Sequence, residues 1–417
     1  MKDITEKFDV VVIGGGPAGM LAAGRAAELG ARVALLERNR SLGNKLLMTG
    51  NGRCNLTQGE FNDADFVRKF GDKKAKFLFS ALSVFGPEEV INFFEKRGVL
   101  MNVEKDGRVF PKTGKAPDVL HVLEKYLQEN KVEIIFNADV GSLEMAEGKI
   151  ASVKLKDKNI HADKFILCTG GKSYPNTGST GSGYALAKAA GHWINKPQPA
   201  LVPIEIKESW IKDLQGLSLK TIVSIFQQNK KQETLTGEML FTHFGLSGPM
   251  IINASKKIGE LLAGGSVFVD IDLLPEVSTI DLDKKMQQAF IDHGKKDLKN
   301  YLAELLPLKL ATVLLKLSSI DGKKKLNLVT KVERLALAKL IKNLRLTVKA
   351  VQGYNQAMVT SGGVELKEVD SKTMRSKIVS NLFFAGEVLD LDGPTGGYNL
   401  QVAWSTGYAA GTHAAGK

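Results

Sequence analysis

The chain has 417 residues, 43% of them hydrophobic and 24% charged, which is ordinary for a globular protein and argues against a fibrous or disordered one. Its formal net charge is +12, and its length exceeds what one hydrophobic core usually organises, so two or three domains are expected. The first nine residues lack a secretory signal pattern, no apolar run is long enough for a membrane span, and two cysteines cannot build a disulfide framework. The composition therefore favours a cytoplasmic protein.

The first elements along the chain form a βαβ unit. The apolar run Phe8–Ile13 ends in glycines and predicts a buried parallel strand. The Ala-rich stretch Pro17–Leu29 predicts a helix, with Pro17 in its first turn and Gly30 after its last. Arg32–Glu37 is then the second strand.

The later elements divide the chain. Further strands are predicted at Val132–Phe136, Phe165–Thr169, Thr221–Phe226, Ser266–Leu273 and Leu382–Ala385. Prolines 197, 199 and 203 mark a change of character. The prediction is an α/β fold: a discontinuous Rossmann-type dinucleotide-binding domain (1–194 and 356–417) interrupted by an insert. The insert has a β-rich, substrate-facing part (195–280) and a Lys-rich helical part (281–355).

A glycine loop joins the first strand to the first helix. In the spacing Gly14-x-Gly16-x-x-Gly19, the first glycine allows a tight turn, the second admits a pyrophosphate close to the backbone, and the third lets helix and strand pack closely. Glu37 lies 18 residues after Gly19, where a carboxylate accepts hydrogen bonds from ribose hydroxyls. That carboxylate would repel a 2′-phosphate, so NADP is not expected at this site.

The end of the chain returns to the same pattern. Phe383–Glu387 is a strand ending in Gly-Glu, and the glycine turn Gly393–Asn399 then opens a helix. In glutathione-reductase-type proteins such a return reaches the flavin, and the positive end of the helix stabilises the anionic reduced ring. The return therefore predicts FAD rather than NAD as the bound dinucleotide.

Five long motifs, spread nearly from end to end, resemble the BaiN-type, aminoacetone-oxidase-like flavoproteins, a branch of the glutathione-reductase-type FAD enzymes. The motifs are Gly43–Thr57, Arg108–Pro111 with Lys115–Val119, Thr169–Gly181, Phe241–Pro249 and Ala385–Gln401. One departure is Thr49, where relatives often have Ser, and it keeps the hydroxyl.

The resemblance implies a set of FAD contacts. The implied residues are Gly14, Gly16, Pro17, Ala18, Gly19, Glu37, Arg38, Lys45, Thr49, Val140 (beside the adenine), Gly386, Glu387, Asn399 and Leu400. It also implies that the Gly50–Asn55 turn, including Gly50 and Arg53, lies under the isoalloxazine.

Three side chains are candidates for a proton donor or substrate ligand. Cys54 lies in the turn beside the implied flavin, where Arg53 could lower its pKa, but a small packing residue is the competing interpretation. His243, between aromatic residues of the insert, and Tyr174, before Pro175, are each open to a structural role instead. The six histidines have no ligand-type spacing, so no metal site is expected.

Two further features concern partners. The stretch Gly178–Gly183 opens an Ala-rich helix and could cradle a second phosphate, but it lacks a ribose-binding residue, so NAD(P)H is expected only as a transient donor. Lys284–Lys349 holds 16 Lys+Arg and 5 Asp+Glu. That excess favours nucleic acid over an anionic membrane as a partner, and a solvated helical surface is the equally weighted alternative.

The family's activities are mixed, and they leave several functions open. The sequence favours an NAD(P)H-driven, FAD-dependent reductase of a C=C bond conjugated to a carbonyl, with uracil in ribosomal RNA as a substrate that suits the charge. The alternatives are a small-molecule enone reductase, an FAD-dependent oxidase of a small amine, and an FAD-containing RNA-binding protein without redox activity.

Overall fold

The structure, a computed structural model, describes residues 7–416. The chain forms two units: the nucleotide unit comprises the chain up to Ala200 and from Tyr354 onward, and the barrel unit comprises Leu201–Gly353. These boundaries lie six and two residues from those predicted. The first boundary differs because residues 194–200 form a strand of the nucleotide unit despite two prolines, which a two-stranded ribbon tolerates on its open edge.

From residue 7 onward, the first part of the nucleotide unit holds ten strands and seven α-helices. The strands are β1 Lys7–Ile13, β2 Val33–Leu36, β3 Thr57–Gln58, β4 Met101–Val103, β5 Arg108–Pro111, β6 Glu133–Ile135, β7 Ser142–Ala146, β8 Lys149–Lys154, β9 Asn159–Leu167 and β10 Ile194–Ala200. The helices are α1 Pro17–Glu28, α2 Asn44–Gly52, α3 Asp63–Arg68, α4 Asp72–Leu82, α5 Pro87–Glu95, α6 Ala116–Glu129 and α7 Ser182–Ala189.

The barrel unit and the C-terminal return supply the remaining elements. The barrel unit contains β11 Ile204–Ile206, β12 Ser218–Gln227, β13 Lys230–Phe241, β14 Gly245–Ser247, α8 Pro249–Ala263, β15 Val267–Asp272, α9 Thr279–Asp292, α10 Leu298–Leu305, α11 Leu308–Ser318, α12 Lys331–Lys342 and β16 Leu344–Val351. The return contains β17 Val359–Val364, β18 Leu382–Phe384 and α13 Tyr398–Ala414.

The main sheet of the nucleotide unit confirms the predicted Rossmann-type α/β fold. Its strand order is β6-β2-β1-β9-β8-β7, with β18 also paired to β9. The strands β6, β2, β1, β9 and β18 run parallel, and β2 and β18 are fully buried apolar runs. The sheet therefore brings the carboxyl ends of β1, β2, β9 and β18 to one edge, where nucleotides bind in such folds.

Small residues hold the two ends of the chain together. The helix α13 packs on α1, and a Cβ placed on Gly407 or Gly411 would lie 2.5 Å from the oxygen of Ala18 or 2.4 Å from that of Ala22. Only glycine fits at these two positions, so the C-terminal helix lies directly against the helix that follows the glycine loop.

The barrel unit is a closed six-stranded barrel with strand order β11-β14-β13-β12-β15-β16. The helices α9 to α12 share one hydrophobic core with the strands, whereas the sequence predicted separate β-rich and helical parts. The difference comes from β16, which lies inside the predicted helical part and pairs with both β11 and β15. Its alternation of buried apolar with exposed Arg345 and Lys349 is a strand pattern that the surrounding lysines obscured.

One stretch within the described residues, Asp72–Glu95, has the length and mean hydropathy of a membrane-crossing helix. It comprises α4 and α5, which are separate helices, and half of its most apolar window is buried within the fold. A core segment of this kind passes the same test, so it is weak evidence for a membrane span.

Candidate cofactor-binding cleft

The glycine loop after β1 has the local geometry that its spacing predicts. Gly14 has a φ of 107°, and a Cβ there would lie 2.5 Å from the carbonyl oxygen of Cys168. A Cβ on Gly19 would lie 1.8 Å from the oxygen of Gly14, so this glycine allows α1 to approach β1. No atom lies within 4 Å of a Cβ built on Gly16. The missing side chain of Gly16 therefore leaves open space beside the loop.

Glu37, at the end of β2, is fixed by backbone groups. It is 7% exposed, its Oε2 accepts a hydrogen bond from the Gly15 N–H at 2.7 Å, and its Oε1 accepts one from the Asn39 N–H at 2.8 Å. Each carboxylate oxygen can accept a second hydrogen bond. Glu37 thus braces the glycine loop and keeps acceptor capacity for a pair of hydroxyl groups.

An open cleft of about 1260 Å³ runs along the carboxyl edge of the sheet. The structure places thirteen of the sixteen predicted cofactor residues on its walls: Gly14, Gly16, Pro17, Ala18, Glu37, Arg38, Lys45, Thr49, Val140, Gly386, Glu387, Asn399 and Leu400. The start and the end of the chain therefore meet at one cleft. Gly19 packs behind the loop, and Gly50 and Arg53 are not among the lining residues.

A polar network joins Glu387 at the cleft wall to residues from three other segments of the chain. Lys45 Nζ lies 2.7 Å from Glu387 Oε2, and the other oxygen, Oε1, accepts hydrogen bonds from the Ser173 hydroxyl at 3.0 Å and the Thr360 N–H at 2.7 Å. The side chains of Lys45 and Glu387 are 20% and 22% exposed. Ser173 lies within one of the five motifs, but Thr360 belongs to β17, which no motif covers, so no sequence pattern indicated it.

The predicted second phosphate cradle lies in the same cleft. Gly178 and Ser179, before α7, and Ser182, in its first turn, line the cleft together with the first glycine loop. Arg38 joins the two regions, because its guanidinium donates to the oxygen of Gly178 at 3.3 Å and pairs with Asp139 at 2.9 Å. The Gly178–Gly183 stretch thus contributes to the same cleft as the first glycine loop.

The first turn of α13 closes one end of the cleft. Gly397, the residue before the helix, has a φ of 101°, and Asn399 and Leu400 line the cleft. The Asn399 side chain accepts from the Gly393 N–H at 2.9 Å and donates to the oxygens of Gly393 and Pro394 at 3.0 and 3.1 Å. The residue before the helix is a glycine and has no side chain to cap it, and Asn399 and Leu400 line the cleft, so the positive dipole end of α13 lies at the cleft wall.

These features fit FAD. The open space at Gly16 admits a pyrophosphate, the Glu37 carboxylate suits a ribose, and the α13 terminus suits a ring system that becomes anionic on reduction. Bound FAD supplies the hydride chemistry, and the chain positions it.

Cys54 lies in the Gly50–Asn55 turn, and its side chain is fully buried. Burial raises the pKa of its thiol from 9.0 to about 12, although a hydrogen bond to Thr49 works in the opposite direction. The thiolate is therefore absent near neutral pH, which favours the packing interpretation. Within residues 7–416, no hydrogen bond joins Arg53 to the Cys54 thiol. Its guanidinium lies 3.9 Å from the centre of the Phe110 ring and pairs with Glu104 at 2.9 Å.

The other two candidates lie in different places. Tyr174 directly precedes a single 3₁₀ turn, and its own φ is 51°. Its backbone N–H donates to the carbonyl oxygen of Tyr354 at 3.0 Å. His243 is exposed in the turn between β13 and β14 of the barrel unit, with its ring 4.9 Å from that of Phe244. Their roles stay predictions. Within residues 7–416, no group of three or more His, Cys, Asp and Glu side chains could hold a metal ion.

Comparisons with known proteins place this geometry in a family. Residues 8–413 match the family described as HI0933-like protein Rossmann domain. A 3-dehydro-bile acid delta(4,6)-reductase from Clostridium scindens is 34% identical, over 97% of this chain and 98% of that protein. A ribosomal RNA dihydrouridine synthase from Escherichia coli is 31% identical, over 97% of each.

The solved structures agree on the fold. A 3-ketosteroid-delta4-(5alpha)-dehydrogenase from Rhodococcus jostii, in complex with 4-androstene-3,17-dione, aligns with 100% of this chain and 99% of its own at a TM-score of 0.56. Its sequence identity is 15%, so the likeness concerns the fold alone.

Proposed function

Because this chain belongs to the HI0933-like family and is an FAD-dependent oxidoreductase, we propose that it reduces a C=C bond conjugated to a carbonyl group. The observation that carries the proposal is the cleft at the sheet edge, in a chain whose full-length relatives include two named for such chemistry. The bile-acid name denotes double bonds conjugated to a 3-oxo group. Uracil, the base reduced in dihydrouridine formation, has its C5=C6 bond conjugated to a carbonyl.

In this proposal, different residues on the cleft walls hold different parts of FAD. The backbone of Gly14–Ala18 and the first turn of α1 hold the pyrophosphate, and Glu37 accepts the ribose hydroxyls. The Lys45–Glu387 pair and Asn399 hold the walls of the cleft, while the α13 terminus stabilises negative charge on the reduced ring. NAD(P)H is the proposed transient electron donor.

We propose uracil in ribosomal RNA as the substrate, on the strength of charge. In Lys284–Lys349, eight basic side chains pair with carboxylates, five of which lie outside the segment. The barrel unit as a whole still holds 23 Lys+Arg against 16 Asp+Glu. Eight exposed lysines of the segment make no ion pair within the described residues: Lys284, Lys285, Lys295, Lys299, Lys309, Lys323, Lys331 and Lys339. Such a surface attracts a polyanion.

The test is mass spectrometry of ribosomal RNA from a deletion strain. We expect one dihydrouridine to be missing from the ribosomal RNA of the deletion strain and to return when the wild-type gene is supplied. It should stay absent with the Gly16→Leu variant, whose side chain fills the open space of the cleft. Unchanged RNA would contradict the RNA substrate.

A small-molecule enone is the second candidate, which the 34% identity to the bile-acid reductase favours. Turnover of a conjugated ketone without RNA would identify it. An amine oxidase would instead consume oxygen with amines in the absence of NAD(P)H, and an RNA-binding protein without redox activity would show neither reaction. The proposed compartment is the cytoplasm, since both cysteines are buried and unpaired.

A further inference from the structure

The outer face of the barrel between β12 and β15 carries two phenylalanines that the core does not use. Along β12 the side chains alternate, so that Ile225 is fully buried and Phe226 points to the other side. On β15, Val269 is buried and Phe268 points outward in the same way. Both phenylalanines are partly exposed, and neither belongs to the hydrophobic core that the described residues form in this unit.

Strand register places these rings side by side with cations on both flanks. Phe226 is directly paired with Phe268 across the two strands, and Lys231 on β13 is paired with Phe226 on its other side. The Lys231 ammonium lies 6.0 Å from the centre of the Phe226 ring. The Arg345 guanidinium carbon, from β16, lies 5.4 Å from the Phe226 ring and 5.7 Å from the Phe268 ring.

Arg345 is held rigidly in this position and remains accessible. Its Nε and Nη2 each lie 2.7 Å from an oxygen of Asp270, which is 6% exposed, while 47% of the Arg345 side chain is exposed. In the next row of the same face, the hydroxyls of Ser224 and Thr234 lie 3.2 Å apart. The face therefore combines two aromatic rings, a fixed planar cation, a flexible cation and two hydroxyls.

This combination is the chemistry that binds a single-stranded nucleic acid. Unpaired bases stack on aromatic rings and guanidinium planes, and neighbouring cations contact the phosphates. A pair of phenylalanines that only stabilised the sheet would not need partial exposure or flanking cations. We infer that the outer face of β12, β15 and β16 binds a single-stranded RNA segment by stacking bases on Phe226 and Phe268. The inference rests on the proposed RNA substrate and identifies the surface that holds it.

The experiment measures binding of a fluorescein-labelled oligouridine to the FAD-loaded protein by anisotropy. The test variant is the double substitution Phe226→Leu and Phe268→Leu, which keeps apolar bulk and removes both rings. Its affinity should fall by about tenfold or more. The control is Trp193→Leu, which removes an aromatic that is 66% exposed in the nucleotide unit and should leave the affinity unchanged.

A second variant guards against misfolding. Lys231→Gln should lower the slope of the logarithm of affinity against the logarithm of salt concentration by about 0.7, with FAD content and thermal unfolding unchanged. If wild-type protein forms dihydrouridine but the double variant and Lys231→Gln both bind oligouridine normally, the inferred surface is wrong and the proposed function stands. If wild-type protein neither binds nor reduces RNA, the RNA substrate fails and the inference fails with it.

Discussion

The candidate sites of the nucleotide unit and of the barrel unit differ in what forms them, a local sequence motif in the first and strand pairing in the second. In the nucleotide unit, glycines at fixed spacing shape the loop beside the cleft and leave the room for a ligand. In the barrel unit the distinctive surface is made of side chains from separate strands, brought together by register. A backbone site is visible as a local sequence motif, whereas a sheet face becomes visible only when the strand pairing is known.

The largest expected effect separates the two kinds of glycine in the loop. Gly19→Val places a side chain against the oxygen of Gly14, so the free energy of unfolding should fall by about 3 kcal/mol or more. Gly16→Ala meets no protein atom within 4 Å at a φ of −81°, so it should fold normally and lose FAD affinity. Thermal unfolding followed by circular dichroism, with flavin absorbance, measures both. Equal stability of the two variants would contradict this division of roles.

Glu37 gives the next largest effect. Glu37→Ala removes the acceptors for two backbone N–H groups and for the proposed ribose, so FAD affinity should fall by about 2 kcal/mol or more. Glu37→Gln keeps one acceptor oxygen and should lose less. Titration of apoprotein with FAD measures the difference, and a Glu37→Ala protein that purifies with full FAD content would refute the placement.

A smaller effect is expected for the pair at the cleft wall. Lys45→Met and Glu387→Gln should show a coupling free energy of about 1 kcal/mol in FAD affinity, since the pair is partly exposed and screened by solvent. The double-mutant cycle with the two single variants supplies its own control. Simple additivity would show that the pair does not act as a unit.

The thiols should be silent in the native protein. Burial raises the pKa of both Cys54 and Cys168, so neither should react with a thiol reagent at pH 8, and both should react after unfolding. Cys54→Ser should keep its FAD and its activity. One fast-reacting thiol in the native protein, or an inactive Cys54→Ser that retains FAD, would revive Cys54 as a catalytic residue.

The same burial has a consequence for alkaline stability. Burial raises the pKa of Cys54 from 9.0 to about 12 in the native protein, so the thiol ionises first in the unfolded chain. The contribution of this thiol to the free energy of unfolding is therefore complete below pH 9 and is lost as the pH rises toward 12. Cys54→Ala should therefore flatten the alkaline decline by at most about 1.4 kcal/mol per pH unit. If denaturant titrations show the same decline in the free energy of unfolding with pH for the wild-type and Cys54→Ala proteins, the raised pKa of the buried thiol is contradicted.

The same contrast explains how far the sequence could be interpreted. The βαβ unit, the C-terminal return and thirteen of the residues that line the cleft were predictable because period, glycine spacing and motif order are local properties. Thr360 was not, since it reaches the cleft-lining Glu387 from a ribbon strand whose partner is the proline-containing β10. The single barrel core was missed for a related reason, because the pairing of β16 depends on strands more than 70 residues away.

The most direct measurement is anaerobic reoxidation of the reduced protein. The FAD-loaded enzyme is reduced by NAD(P)H and mixed, without oxygen, with uridine-containing ribosomal RNA or a conjugated enone. We expect the flavin absorbance to return and the product to carry two additional hydrogens. If only oxygen restores the absorbance, while an amine is oxidised and peroxide released, the chain is an oxidase and not a reductase of conjugated C=C bonds.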